Sequence, residues 1–309
     1  MKEFSGGIDR RDFVKSGASL IALGAVCGAY SATAGSSVPD YEKLQAENDL
    51  VTRKIYLEYL KDGDTRSLAA LKRLDKAFDK VLREIREVEV ADPDRPAIWY
   101  LYNMGIVVKS VSKTFAVDLV HPRSGELVPF LDFALITHNH SDHWTRPFYN
   151  AMNKSGKTVV SNFLDNYGVK NWIVNGGFTR ARKTFTFGDV VVKTRQCDHN
   201  KYLVNFTTFY EIHIGSFTLG HTGDCSSHEK LEFSRKPDLW VVHPYCGMDS
   251  VKAANEAIHP KKVLVGHIEE LTHPKNMWRW SYNDGLSVKT NLEKAGFGAV
   301  FPLWGERIM

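Results

Sequence analysis

The sequence predicts an α/β protein in which two sheets face each other with helices outside, preceded by a helical extension. Three observations carry this. Strand-length apolar runs recur from Ile98 onward, with helical stretches between them. Apolar positions at the helical period dominate 38–90 and then stop at a turn-rich boundary, Ala91-Asp92-Pro93-Asp94-Arg95-Pro96. The 309 residues are 43% hydrophobic and 25% charged, the balance of a soluble globular chain of one large domain or two modest ones. A net charge of +4, with no Lys/Arg-rich block, gives no basis for nucleic-acid binding.

Residues 1–34 read as an export signal. Asp9-Arg10-Arg11-Asp12-Phe13-Val14-Lys15 resembles the twin-arginine motif, with Arg10 and Arg11 paired and Phe13 and Lys15 in the usual places. The weakly apolar stretch over 17–29 is too short for a span of about 20 apolar residues. Ala32-Thr33-Ala34 offers a small-x-small cleavage site. Cleavage after Ala34 is favoured over an uncleaved anchor, with periplasmic or secreted location, the twin-arginine machinery as a partner and no stable membrane span in the mature form. Cys27 follows Val26, a poor lipobox residue. Cleavage would leave Cys197, Cys225 and Cys246, an odd number in an oxidising compartment. A Cys225–Cys246 bridge and buried thiols both remain open.

Residues 35–95 form the helical extension. Leu68, Leu71, Leu74, Phe78, Val81, Leu82, Ile85 and Val88 recur near the 3.6-residue period, with charge between them that suits a solvated face. Lys61-Asp62-Gly63-Asp64-Thr65 splits the region into two helices, with Asp64 or Thr65 capping the second. Over 96–309, strands are expected at 98–102, 106–110, 114–118, 133–137, 190–195, 207–214, 217–221, 239–242 and 263–266. Helices are expected at 147–154, 248–258 and 287–295.

The run Thr137-His138-Asn139-His140-Ser141-Asp142-His143 leaves the apolar stretch Leu131 to Thr137, where a rigid sheet can hold ligands at a cleft edge. It sets three imidazoles and a carboxylate within six positions, donors suited to zinc and other first-row ions. Downstream stand His199, then Asp224 after Gly223, then His267 at the end of an apolar strand. No Gly-x-Ser-x-Gly motif and no Gly-rich phosphate loop is present. Water activated by a metal is therefore the expected nucleophile.

His138, His140, Asp142 and His143 resemble the His-x-His-x-Asp-His signature of the metallo-β-lactamase superfamily, and His199, Asp224 and His267 follow in its order. Met248-Asp249, an Ala-rich helix and Pro260-Lys261 before His267 resemble the branch containing L-ascorbate-6-phosphate lactonase and N-acylphosphatidylethanolamine phospholipase D. The likeness runs from about Trp99 onward. It implies a four-layer αββα sandwich and two divalent ions, zinc first, with manganese or iron as alternatives. His138, His140 and His199 would hold one ion, and Asp142, His143 and His267 the other. Asp224 would bridge them, and Asp142 and Asp224 are the catalytic candidates. Asp118 resembles the family Asp that braces the metal loop without binding metal.

His221 is assigned to orient Asp224 or a ligand imidazole, and His243 to line the cleft or serve structure. His121, His213, His228, His259 and His273 have no metal-like spacing. The expected function is hydrolysis of a small-molecule ester, lactone, amide or phosphodiester, with lactone or phosphodiester preferred on branch likeness. The alternatives are a mononuclear or diiron oxidoreductase of the same fold and a non-catalytic metal-binding module.

Overall fold

The computed structural model describes residues 68–164, 182–271 and 280–309. The export motif, the first expected helix and the Asp64/Thr65 cap lie outside these residues.

The first described element is helix α1 (Leu68–Glu87). Leu74, Ala77, Phe78, Val81 and Ile85 are buried, and spacings of three and four place them on one stripe. One flank of this stripe is not solvated. Lys80 is buried and donates to Gly305 O at 2.9 Å, while Glu84 Oε2 accepts from Trp99 Nε1 at 2.7 Å. Lys109 Nζ donates to Ile85 O at 2.8 Å, satisfying a carbonyl in the last turn. The helix is thus tied to the sheet by polar as well as apolar contacts.

The first sheet contains β1 (Ala97–Tyr102), β2 (Gly105–Lys109), β3 (Thr114–Val117), β4 (Phe133–Leu135) and β5 (Thr158–Val160). Helix α2 (Arg146–Lys154) connects β4 to β5, and its N-cap Thr145 accepts from Phe148 N. The second sheet contains β6 (Lys183–Phe187), β7 (Val190–Cys197), β8 (Thr207–Ile214), β9 (Phe217–His221), β10 (Leu239–Val242), β11 (Lys262–Val265) and β12 (Gly298–Val300). Strand β13 (Glu306–Arg307) returns to the first sheet beside β1. The orders are β13-β1-β2-β3-β4-β5 and β12-β11-β10-β9-β8-β7-β6.

Each sheet changes from antiparallel to parallel pairing along its width. In the first, β1–β2–β3 are antiparallel and β3–β4–β5 parallel. In the second, β6 to β9 are antiparallel and β9 to β12 parallel. Parallel strands need covering on both faces, and β10 and β11 show how. Leu239, Val241 and Leu264 join the core shared with the first sheet, while Trp240, Val242, Val263 and Val265 pack with Ala253, Ala254, Ile258 and Leu292. Period-two alternation of apolar side chains thus builds an inner and an outer core from one strand pair.

The outer residues come from α3 (Ser250–Ala253), which continues as a π turn over Ala254–Ile258, and from α4 (Tyr282–Lys294). Helix α3 starts two residues later than expected because Asp249 is its cap, accepting from Val251 N and Lys252 N. Helix α4 starts five residues earlier than expected. Ser281 and Asp284 form a capping box there, and Gly285 fits inside the helix because a Cβ would meet the Phe301 ring at 2.5 Å. Strands β5, β6, β12 and β13 were not expected. Three have at most three residues, and β6 is an edge strand with mostly exposed side chains.

Candidate metal centre

The metal loop is shaped by a residue that does not belong to it. Asp118 follows β3 in a left-handed conformation, with φ 46°, and is fully buried. Its Oδ1 accepts from Thr137 N at 2.8 Å, and its Oδ2 accepts from Thr137 Oγ1 at 2.7 Å. His143 Nδ1 lies 2.8 Å from the same Oδ2. One carboxylate therefore clamps both ends of the loop, and His143 N closes the turn on His140 O at 3.0 Å.

These bonds set the ring tautomers. A carboxylate can only accept, so the Thr137 hydroxyl proton goes to Asp118, and Thr137 Oγ1 accepts from His138 Nδ1 at 2.9 Å. His143 likewise donates through Nδ1. Both rings then present Nε2 to the centre, the orientation a metal ligand needs.

Three further segments converge on this loop. After β9, Gly223 adopts φ 51°, and a Cβ there would lie 2.8 Å from Thr137 Cβ. Glycine lets the chain press against the metal loop and carry Asp224 inward. After β7, Cys197 leads to His199. After β11, Gly266 passes Met104 so closely that a Cβ would lie 2.7 Å from Sδ, and His267 follows with φ 55°.

The donors form two groups that share Asp224: His138, His140, His199 and Asp224, and Asp142, His143, Asp224 and His267. Two nitrogen donors on one tetrahedral zinc ion lie roughly 3.3 Å apart, given bonds of about 2.0–2.1 Å. In the first group, His138 Nε2 is 3.1 Å from His140 Nδ1, and Asp224 Oδ2 is 3.8 and 3.5 Å from His138 and His199 Nε2. In the second, His143 Nε2 is 3.4 Å from Asp142 Oδ2 and 3.2 Å from Asp224 Oδ1. His267 Nε2 is 2.9 Å from Asp142 Oδ2 and 3.6 Å from Asp224 Oδ2. His143 Nε2, His199 Nε2 and Asp224 Oδ1 are buried without a hydrogen-bond partner. Buried polar atoms are rarely left so. Their convergence at ligand–ligand spacing fits two cations.

Electrostatics favours the ligating forms. Burial would raise both carboxyls, but His143 and its neighbours hold Asp142 and Asp224 well below the usual carboxylate range. Burial, reinforced by nearby imidazoles, keeps His138 well below its ordinary value and lowers His140 to about 4. His143 goes the other way: burial opposes its charge, but Asp224, Asp142 and Asp118 together raise it well above the ordinary histidine range. Cation binding through its Nε2 would therefore displace a proton.

All seven expected ligands converge, and Asp118 lies where a brace should. One expectation needs correction, and one open alternative is decided. His221 donates to or accepts from neither Asp224 nor a ligand ring; its Nε2 pairs with Met104 O at 2.9 Å, so it anchors the β1–β2 turn. Cys197, Cys225 and Cys246 are free thiols. Cys225 Sγ points to Ser227 O and Cys246 Sγ to the carbonyls of Asp224 and His199, so the pair is not bridged. Asp249 is a helix cap, not a member of the cluster.

Sequence reasoning missed Asn103. In the β1–β2 turn at φ 57°, its side chain donates to Asp142 O at 2.8 Å and its carbonyl accepts from His267 N at 2.8 Å. It joins two ligands of the second group. Only the turn propensity of Asn marked it in the sequence. His243, expected to line the cleft or serve structure, stands beside the second group. It is buried, stacks on His267 at 3.8 Å and 9°, and brings Nδ1 within 3.2 Å of Asp224 Oδ1. Aromatic rings wall the cluster: Phe206 lies 5.1–5.9 Å from the rings of His138, His140 and His199. Trp280 lies 4.9 Å from His243 and 5.9 Å from His267.

No family model matches the sequence. No curated protein matches it either. Solved structures do. Igni18, a metallo hydrolase from the hyperthermophilic archaeon Ignicoccus hospitalis KIN4/I, aligns with a TM-score of 0.51 at 16% identity, over 69% of this chain and 98% of its own. YhfI from Bacillus subtilis, a metallo-beta-lactamase fold protein, gives a TM-score of 0.51 at 14% identity over the same shares, 69% and 98%. CmlA from Streptomyces venezuelae, a diiron beta-hydroxylase, gives 0.50 at 14% identity over 69% of this chain and 54% of its own, so this chain matches about half of that enzyme. Two facing sheets, helices on the outside and loops gathering a His/Asp cluster at one edge agree with these likenesses: the protein has the metallo-β-lactamase fold.

Proposed function

We propose that this protein is an exported hydrolase that uses two divalent ions, zinc first, to cleave a small-molecule lactone or phosphodiester. The observation that carries the reading is the sharing of Asp224 by two complete donor groups. Divalent ions held there would act as Lewis acids and lower the pKa of water toward about 7. The chain's own residues position and charge that centre. Asp118 fixes the imidazoles, Asn103 couples Asp142 to His267, and Phe206 and Trp280 pack against the ligand rings. Asp142 and Asp224 are held in their charged forms by the surrounding imidazoles and would contribute as anionic ligands.

The preference for lactone or phosphodiester rests on the resemblance of 248–267 to the lactonase and phospholipase branch. Tyr202 and Val204 are exposed on the loop between His199 and Phe206, and we infer that they meet an acyl or alkyl portion of the substrate. The likeness to a diiron hydroxylase keeps an oxidoreductase as the second reading. Metal quantitation alongside assays on lactones, β-lactams, phosphomonoesters and phosphodiesters tests the proposal. Two ions with turnover of a lactone or phosphodiester support it. Turnover that requires iron, dioxygen and a reductant supports the oxidoreductase, and full metal loading without any turnover supports a binding module.

A further inference from the structure

We propose that Asp224, His243 and Cys246 form a third cation position of mixed oxygen, nitrogen and sulfur character, filled by a zinc-class ion after the two principal positions. The three side chains each offer a donor atom, and these atoms all lie within 4.8 Å of one another. Two of the donors have no part in the seven-residue set read from the sequence.

His243 is the independent observation. It is 3% exposed. Its Nδ1 lies 3.2 Å from Asp224 Oδ1, and its Nε2 is buried without a hydrogen-bond partner. Stacking on His267 at 3.8 Å and the edge of Trp280 at 4.9 Å hold the ring in this orientation. A buried imidazole and a buried carboxylate at this spacing are a ligand pair, and a cation between them would be held by both.

Local backbone brings the sulfur to the same place. His243 and Cys246 flank Pro244 and Tyr245 after β10, and Gly247 turns the chain with φ 98°. Cys246 Sγ lies 3.3 Å from Asp224 O and 3.4 Å from His199 O, so the thiol touches the backbone of two principal ligands. Sulfur and imidazole suit zinc, with bonds of about 2.3 and 2.0–2.1 Å, and three protein donors leave a fourth position open. Binding replaces the S–H bond of Cys246 with a sulfur–metal bond and releases the proton to solvent. Asp224 Oδ1 is shared with the group containing His143, which makes this position weaker than the first two.

Anaerobic titration of the full-length protein with cobalt(II) tests this, using a reductant that does not bind metal. Cobalt reports sulfur ligation through a thiolate charge-transfer band. That band is expected to grow with the third equivalent, to vanish in Cys246→Ser, and to require cobalt concentrations on the order of 10–100-fold higher in His243→Ala. Cys246→Ser is expected to take up the first two equivalents. Saturation of the wild type without a thiolate band overturns the proposal whether or not the variants fold. A band that survives in Cys246→Ser overturns it too, since Cys197 or Cys225 would then be the sulfur. Neither outcome bears on hydrolysis by the two principal ions, which turnover measures separately.

Discussion

Asp118 Oδ2 lies 2.8 Å from His143 Nδ1 while the same carboxylate holds the backbone and hydroxyl of Thr137. The bond commits His143 to present Nε2 inward. Asp118→Asn preserves shape but offers one acceptor oxygen and an amide, so it cannot satisfy all three donors. We expect metal affinity to fall on the order of 10–100-fold, with the fold retained. Competition against a chelator of known affinity measures this. Unchanged affinity would mean that the loop keeps its shape without Asp118.

His121 provides a pH-dependent test remote from the metal centre. It stacks on Phe78 at 4.2 Å, and its Nδ1 accepts from Arg123 N at 3.0 Å. Burial, and then the Arg123 charge, lower its pKa to about 3. The unfolded chain binds this proton near pH 6.5 and the folded chain does not, so the stability is fully present above about 6.5 and lost as pH falls toward about 3. The slope is about 1.4 kcal/mol per pH unit in that window. His121→Asn keeps an acceptor for Arg123 N but does not titrate. Urea unfolding at pH 7 and pH 5 is expected to show a smaller acid loss in the variant than in the wild type. Equal losses would show that His121 is protonated in the folded protein.

Arg10 and Arg11 carry the export proposal. Replacing both with Lys keeps the charge but removes the paired guanidinium groups. The precursor is expected to accumulate inside the cell, with cleaved protein absent from the periplasmic or secreted fraction. Normal export of the Lys-Lys variant, followed by immunoblotting of the fractions, contradicts a twin-arginine route.

The metal loop was legible because its ligands are close in sequence, and an extended loop after a strand gives alternating residues a defined spacing. His199, Asp224 and His267 were legible only through family order, since nothing local brings three distant strand ends together. Residues 207–214, 217–221 and 239–242 were read to the residue because long apolar runs end there at turns. Asn103 was not legible as part of the site, His243 only as a residue lining the cleft or serving structure, and Cys246 only as a thiol. Each reaches the cluster through a turn whose direction depends on packing: Asn103 against Asp142, His243 against His267, Cys246 beside Gly247. His221 misled for the same reason. A strand-end histidine can point either way, and this one meets the Met104 carbonyl.

Metal content per folded chain in Asp224→Ala tests the central claim most directly. Asp224 belongs to every donor group in the cluster, and its charge offsets repulsion between neighbouring cations. Since Asp224 lies on a loop after β9 and not among the apolar core residues, the variant is expected to fold. After reconstitution and exhaustive dialysis, wild-type protein should retain about two tightly held ions, the capacity of its two donor groups. Asp224→Ala should lose most of both, as measured by elemental analysis against protein concentration. A folded Asp224→Ala protein that retains two ions as firmly as the wild type would contradict the shared-carboxylate centre.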